Sequence, residues 1–200
     1  MSAGPPITSM DAGFRNRRRT ALLPDAVIGM IFFILAEIML FSGFVSGFAI
    51  IKANAPGSVW PPPGQPRLPV ESTGFNTLLL LASGAVLFYA GRRYKESPDA
   101  AKLPFIGAIL LGASFVGLQG REWAALLADG LTFTSSSYGS FFYMIVGCHA
   151  LHAVSAIIAL VWLVARLFRG TLSDEAFIAG RMFWYFVVLV WPFLYWQVYL

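Results

Sequence analysis

The stretch YGSFFYMIVGCHALHAVSA, Tyr138 to Ala156, is apolar and of membrane length, yet it carries both histidines of the chain, His149 and His152. Three residues apart, they fall on one side of a helix. One other segment answers it: Glu37 sits in the middle of the apolar run IFFILAEIMLFSGF at 31 to 44. A carboxylate at that depth is costly unless something meets it, so the two segments are expected to face each other inside a small helical bundle.

Composition agrees with a membrane setting. The 200 residues are 58% hydrophobic and 12% charged, where soluble domains carry about 25% charged residues. A single cysteine, Cys148, excludes an internal disulfide and any multi-thiolate metal cluster within the chain. The aromatic-basic pattern of a nucleic-acid surface is missing, so no nucleic-acid partner is expected.

Five apolar runs, at 26 to 51, 74 to 91, 103 to 123, 138 to 167 and 177 to 199, approach or exceed the ~20 residues that a bilayer core requires. The expected fold is an all-α bundle of five transmembrane helices over residues 25–200, preceded by a flexible basic tail at 1–24. The RNRRR at 15 to 19 resembles the charged start of a signal peptide. The apolar run that follows it continues for roughly 25 residues, beyond the usual h-region of about 7 to 15, and contains Glu37, so it reads as a retained helix.

Charge placement gives the expected orientation. With a cytoplasmic amino terminus, eleven of the fourteen Lys and Arg lie inside: Arg15, Arg17, Arg18, Arg19, Arg92, Arg93, Lys95, Lys102, Arg166, Arg169 and Arg181. Only Lys52, Arg67 and Arg121 lie outside, which the positive-inside rule favours.

The connector at 52 to 73 holds Pro56, Pro61, Pro62, Pro63, Pro66 and Pro69, a density that forbids a helix and favours a stiff, extended surface loop. Its Trp60 is expected at the membrane interface. In the last run, Phe183 to Phe186 and then Trp191, Phe193, Tyr195, Trp196 and Tyr199 read as two aromatic belts anchored in headgroups. Pro192 is expected to bend that helix. Small residues at Gly43 and Gly47, at Ala108 and Gly112, at Ala113 and Gly117, and at Gly147, Ala150 and Ala153 mark close-packing seams.

Three readings stay open for the intramembrane polar cluster of Glu37, His149 and His152. It can be a hydrogen-bonded group that fixes helix register, a site that handles protons, or a metal site. An ionised carboxylate at the centre of a span costs about 2.5 to 3.5 kcal/mol, and a hydrogen bond to an imidazole lowers that cost. Metal ligation has the least support, because both histidines share one helix with no supporting carboxylate nearby. Two histidines on one face also cannot serve as opposed axial ligands of one haem. Arg121 and Glu122, in LQGREW at 118 to 123, read as an interfacial pair with a snorkelling Arg. Asn76 and Thr77 read as caps or interhelical hydrogen bonds, and Cys148 as a small buried hydrophobe.

Taken in order, GMIFFILAEIMLFSGF (29 to 44), WPPP (60 to 63), FNTLLLLASG (75 to 84), LQGREW, YGSFFYMIVGCHALH (138 to 152) and FWYFVVLVWPFLYW (183 to 196) resemble subunit III of the haem-copper cytochrome oxidases, in a short five-helix form. The resemblance implies an accessory, non-redox subunit in a bacterial plasma membrane. It has no catalytic centre and no cofactor of its own, the haem and copper belonging to partner subunits. It sits beside the catalytic subunit I and subunit II, supports assembly, stability and proton uptake during oxygen reduction, and binds membrane phospholipid. Glu37 matches the family's intramembrane glutamate, Glu122 the acidic residue after the third helix, and His149 and His152 the paired histidines.

The sequence departs from the family pattern in two places. Longer members begin with two additional helices that complete a lipid-holding cleft, whereas this sequence opens at the glutamate helix. The family's WHFVDVVW reads WYFVVLVW here, with Tyr185 and Val188 in place of a polar pair, so a hydrogen-bond network is expected to be missing there. Other branches weighed are a subunit III-like protein of nitric oxide reductase and a subunit of a quinol oxidase. The alternative from a different class is an independent small proton-linked transporter.

Overall fold

A computed structural model describes residues 24–55 and 60–200. The tail expected at 1–24 lies outside them apart from Pro24. The described residues form five α-helices and no strand: α1 (Asp25–Ala53), α2 (Val70–Glu96), α3 (Pro98–Ala128), α4 (Ser137–Phe168) and α5 (Asp174–Tyr199). All five are long and apolar enough to cross a membrane. At 26 to 32 residues each they run about 39 to 48 Å, against a hydrocarbon core of ~30 Å, so their ends reach past it.

Local chemistry sets the helix limits. Ser97 alone separates α2 from α3, and Pro98 at the first helical position fits there because its missing N–H would have had no intrahelical partner. Ser136 and Ser173 cap α4 and α5, their hydroxyls accepting from the backbone N–H of Gly139 and Ala176. Helices α3 and α4 stop the same way. Gly130 and Gly170 take positive φ of 91° and 67°, which lets Leu131 N–H reach back to the Leu126 carbonyl and Thr171 N–H to that of Arg166.

Helix α5 is central, packing on α1, α2 and α4, while α4 also meets α1 and α3, and α2 and α3 form a close hairpin. The face that α2 turns inward is small and polar: Thr73, Asn76, Thr77, Ser83, Gly84 and Gly91 are all buried. That face admits two indoles from α5. Trp184 and Trp191, seven residues apart and therefore on one side of the helix, are both fully buried. Trp184 Nε1 donates to Ser83 Oγ at 3.0 Å, and that hydroxyl donates to the Ala108 carbonyl at 2.8 Å. Trp191 Nε1 donates to Thr77 Oγ1 at 2.9 Å, and Thr77 donates to the Thr73 carbonyl at 2.8 Å. Each indole thus ends in a hydroxyl that is itself satisfied by helix backbone, which a dry interior requires.

The expected aromatic belts are corrected accordingly. Trp184, Phe186, Trp191 and Tyr199 are buried, and only the outward-facing members such as Phe193 and Trp196 are exposed. Trp60, half-buried, packs its ring edge-on against Phe48 at 5.4 Å and Tyr138 at 5.1 Å, closing the end of α1 onto the start of α4. Of the small-residue seams, Gly47 receives the Phe141 ring and Gly112 the Trp184 ring, whereas Gly43, Gly117 and Gly147 face open space. Helix α5 runs on to Tyr199 with Pro192 inside it.

Candidate functional site

Glu37 and His152 meet. Glu37 Oε2 lies 3.1 Å from His152 Nε2, with the two side chains only 15% and 11% exposed. The approach is oblique, so the contact is a close charge pairing and not an aligned hydrogen bond. The other ring nitrogen, Nδ1, lies 2.7 Å from the Cys148 carbonyl. A carbonyl only accepts, so Nδ1 carries a hydrogen and Nε2 is the nitrogen turned to the acid. The carboxyl and the imidazole thus face each other through Glu37 Oε2 and His152 Nε2, so neither polar group is left alone at mid-span.

Aromatic rings enclose this pair. Phe41 stands 5.6 Å from the His152 ring, Phe33 and Phe183 6.3 Å, and Phe186 6.4 Å. They come from α1 and α5, so three helices build the site. Cys148 is half-buried, with Sγ 3.8 Å from His152 Nδ1.

His149 does not join the cluster. Residues three apart on a helix differ by about 60° in direction, and α4 is wedged between neighbours, so His152 turns to α1 while His149 turns to α3 and α5. Its ring stacks on Trp191 at 4.7 Å with an interplanar angle of 27°, and Phe115 stands edge-on at 6.3 Å. Neither ring nitrogen meets a protein hydrogen-bond partner. His149→Phe, which keeps an aromatic ring against Trp191, is expected to hold stability within about 1.5 kcal/mol of the wild type. Thermal unfolding in detergent checks this, with a large loss pointing to a polar role for the ring.

Glu122 also departs from the sequence reading. It makes no pair with Arg121, which points outward. Its carboxylate accepts from Thr73 Oγ1 at 2.7 Å, Asn76 Nδ2 at 3.0 Å and Gln119 Nε2 at 3.1 Å. Gln119 Nε2 also donates to the Tyr199 hydroxyl at 3.2 Å. The physical reason is direction: Gln119 and Glu122, three apart on α3, both face α2, whereas Arg121 faces away. Asn76 and Thr77 are interhelical hydrogen-bonding residues, as one of their two readings expected.

Gln119, Thr73 and Tyr199 were not among the expected site residues. The signal was present in part, since Gln119 stands one turn before Glu122 in LQGREW. Tyr185, expected to leave its region without a network, accepts from Arg181 Nε and Nη2 at 3.3 and 3.1 Å. Among the described residues no three metal-ligating side chains converge.

Comparison with known proteins gives the relationship. A family model described as cytochrome c oxidase subunit III matches residues 8–200. The chain is 33% identical over 197 residues to cytochrome c oxidase subunit 3 of Pyricularia grisea, covering 94% of this chain and 72% of the relative. It is 33% identical over 179 residues to that of Arabidopsis thaliana, covering 86% and 66%, and 32% identical over 197 residues to that of Pelomedusa subrufa, covering 94% and 74%. It thus spans between about two thirds and three quarters of the length of these relatives. With the ordered motifs, the five apolar helices and a match over nearly all its length, this chain belongs to the cytochrome c oxidase subunit III family.

Proposed function

We propose that the chain is the accessory, non-redox subunit of a respiratory haem-copper terminal oxidase. It works beside the catalytic subunit I and subunit II, whose haem and copper carry electrons to oxygen. The membrane is a bacterial plasma membrane, with the amino terminus in the cytoplasm as the charge distribution favours. Residues 25–200 form the functional unit, and 1–24 a basic cytoplasmic tail.

The observation that carries this reading is the disposition of the two histidines. An oxidase centre needs several imidazoles with free nitrogens aimed at haem iron or copper. Here His152 has one nitrogen on the Cys148 carbonyl and the other on Glu37, and His149 lies flat against Trp191 in a closed apolar setting. Both are committed to the bundle. The family match leaves the independent-transporter reading without support.

A tag on the amino terminus and purification in mild detergent test the proposal. Haem absorption bands together with a large, histidine-rich partner chain are the expected result. A colourless, stable, partner-free protein overturns it.

Within that complex, we infer that the Glu37 and His152 pair handles a proton, with Glu37 as the exchangeable group. Glu37→Gln keeps a polar side chain of the same shape facing Nε2 and is expected to leave assembly and thermal stability near wild type, within about 1 kcal/mol. It removes the exchangeable proton, so proton uptake during turnover is expected to slow by about tenfold or more, the scale of a lost acid–base group. Stopped-flow with a pH dye reads this directly. Unchanged uptake with unchanged assembly assigns the pair to helix register alone.

A further inference from the structure

We propose that the outward face shared by α3 and α4 seats one transmembrane helix of a partner chain, which packs on a stripe of small residues and brings a hydroxyl side chain to His149. This rests on the accessory-subunit reading above and adds the face and the chemistry of one contact.

Ala113, Gly117, Gly120 and Ala124 follow one another at steps of four, three and four residues along α3, so they lie on one side of it. All four are exposed. Among the described residues, a β-carbon at Gly117, at Gly120 or at Gly147 of α4 would meet nothing within 4 Å, whereas Gly47 and Gly112 each receive an aromatic ring. Glycine weakens a helix relative to alanine. A glycine that no residue of its own chain packs against therefore serves no contact within the bundle. In lipid the use of such a stripe is the close approach of another helix backbone, which is how helices associate there.

A second observation sets the chemistry of that helix. The exposed Gly120 also lines a cavity of about 90 Å³ between α3 and α4, together with Val116, Ala150, Ala153 and the His149 imidazole. That is roughly the volume of three liquid waters, the room a short side chain needs. His149 is 1% exposed. One face of its ring is taken by Trp191, but neither ring nitrogen meets a hydrogen-bond partner among the described residues. A neutral imidazole offers one donor and one acceptor, and a hydroxyl can answer either. Hydrocarbon can answer neither, so an acyl chain over this face would leave the ring unpaired at mid-span. The occupant that suits both observations is a helix with small residues along its contact and a serine or threonine at the level of His149.

The test uses the full chain in its detergent-purified complex. A photo-crosslinking residue in place of Ala113 or Ala124 is expected to trap one transmembrane segment of a partner chain, with serine or threonine at the level of His149. The same residue in place of Ala85, exposed on α2, is expected to trap none. Gly120→Leu is expected to lower retention of the chain by its haem-bearing partner about tenfold on dilution in mild detergent, and Ala85→Leu to leave it unchanged. His149→Phe is expected to lower retention about threefold, the scale of one interhelical hydrogen bond in a membrane. His149→Gln, which keeps a donor and an acceptor, is expected to restore part of that loss. Should these variants assemble poorly, the crosslinks still decide, since they leave Gly120 and His149 unchanged. Crosslinks that reach only lipid or a second copy of this chain overturn the proposal, as does unchanged retention in both Gly120→Leu and His149→Phe. In either case a copurifying haem-bearing partner leaves the accessory-subunit reading standing. A chain that brings down no such partner removes that reading and this contact together.

Discussion

Glu122→Ala is expected to destabilise the bundle by about 3 kcal/mol, because it leaves several interior donors without their acceptor at once. The Thr73 hydroxyl and the Asn76 and Gln119 amides all end on this one carboxylate. Thr73, Asn76 and Gln119 are each at most 3% exposed, so water cannot readily take its place. Glu122→Gln keeps the shape but turns one acceptor into a donor, and about half that loss is expected. Arg121→Ala, next in sequence but pointing outward, is expected to change stability by no more than about 0.5 kcal/mol. Thermal unfolding of the three variants in one detergent separates the readings. Similar losses at 121 and 122 would restore the interfacial ion pair that the sequence suggested, and a silent Glu122→Ala would show that the three donors find other acceptors.

The contrast between Arg121 and Glu122 shows what the sequence could convey. Helix number and approximate extent were legible because apolar length is a one-dimensional property, read without knowing any neighbour. The five runs expected from hydropathy differ from the helices mainly at their ends, where α2 and α3 run on through Arg93 and Trp123. Partner choice is different in kind. It depends on which way a side chain points around the axis and on what stands opposite, and neither is written locally.

Glu37 and His152 illustrate the same limit. That an acid and an imidazole at similar depth should meet follows from the cost of leaving either alone. Which of two histidines three residues apart does so depends on where α1 lies around α4. His152 lies on the α1 side, and His149 is left to stack on Trp191. The aromatics of α5 were misread for a related reason. In a membrane protein the interior and the lipid are both apolar, so a tryptophan does not announce which it faces. Its indole N–H decides the matter only when a partner such as Ser83 or Thr77 stands opposite. Those partners were visible as a small, polar spacing along α2, but nothing in the chain tied them to tryptophans more than a hundred residues away.

That pairing leads to the second large effect. Gly112→Ala is expected to cost about 1 to 3 kcal/mol, the range for overpacking a close-fitting interior. A β-carbon at 112 would lie 2.6 Å from both Cζ2 and Cη2 of Trp184. The indole cannot swing aside cheaply, since its N–H is fixed to Ser83 Oγ, which is itself fixed to the Ala108 carbonyl on the helix that carries Gly112. One turn of α3 thus both pins the ring and makes room for it. Gly117, with nothing within 4 Å of a β-carbon, is the control: Gly117→Ala is expected to be neutral or to stabilise by up to about 1 kcal/mol through backbone entropy. Trp184→Phe removes the two clashing carbons and the indole bond together, so it is destabilising alone. In combination with Gly112→Ala it is expected to cost less than the sum, with a coupling of at least about 0.5 kcal/mol. Additive losses across that cycle, or equal tolerance of alanine at 112 and 117, would mean that Trp184 does not fill the space over Gly112 and that α5 docks on the α2–α3 hairpin by some other contact.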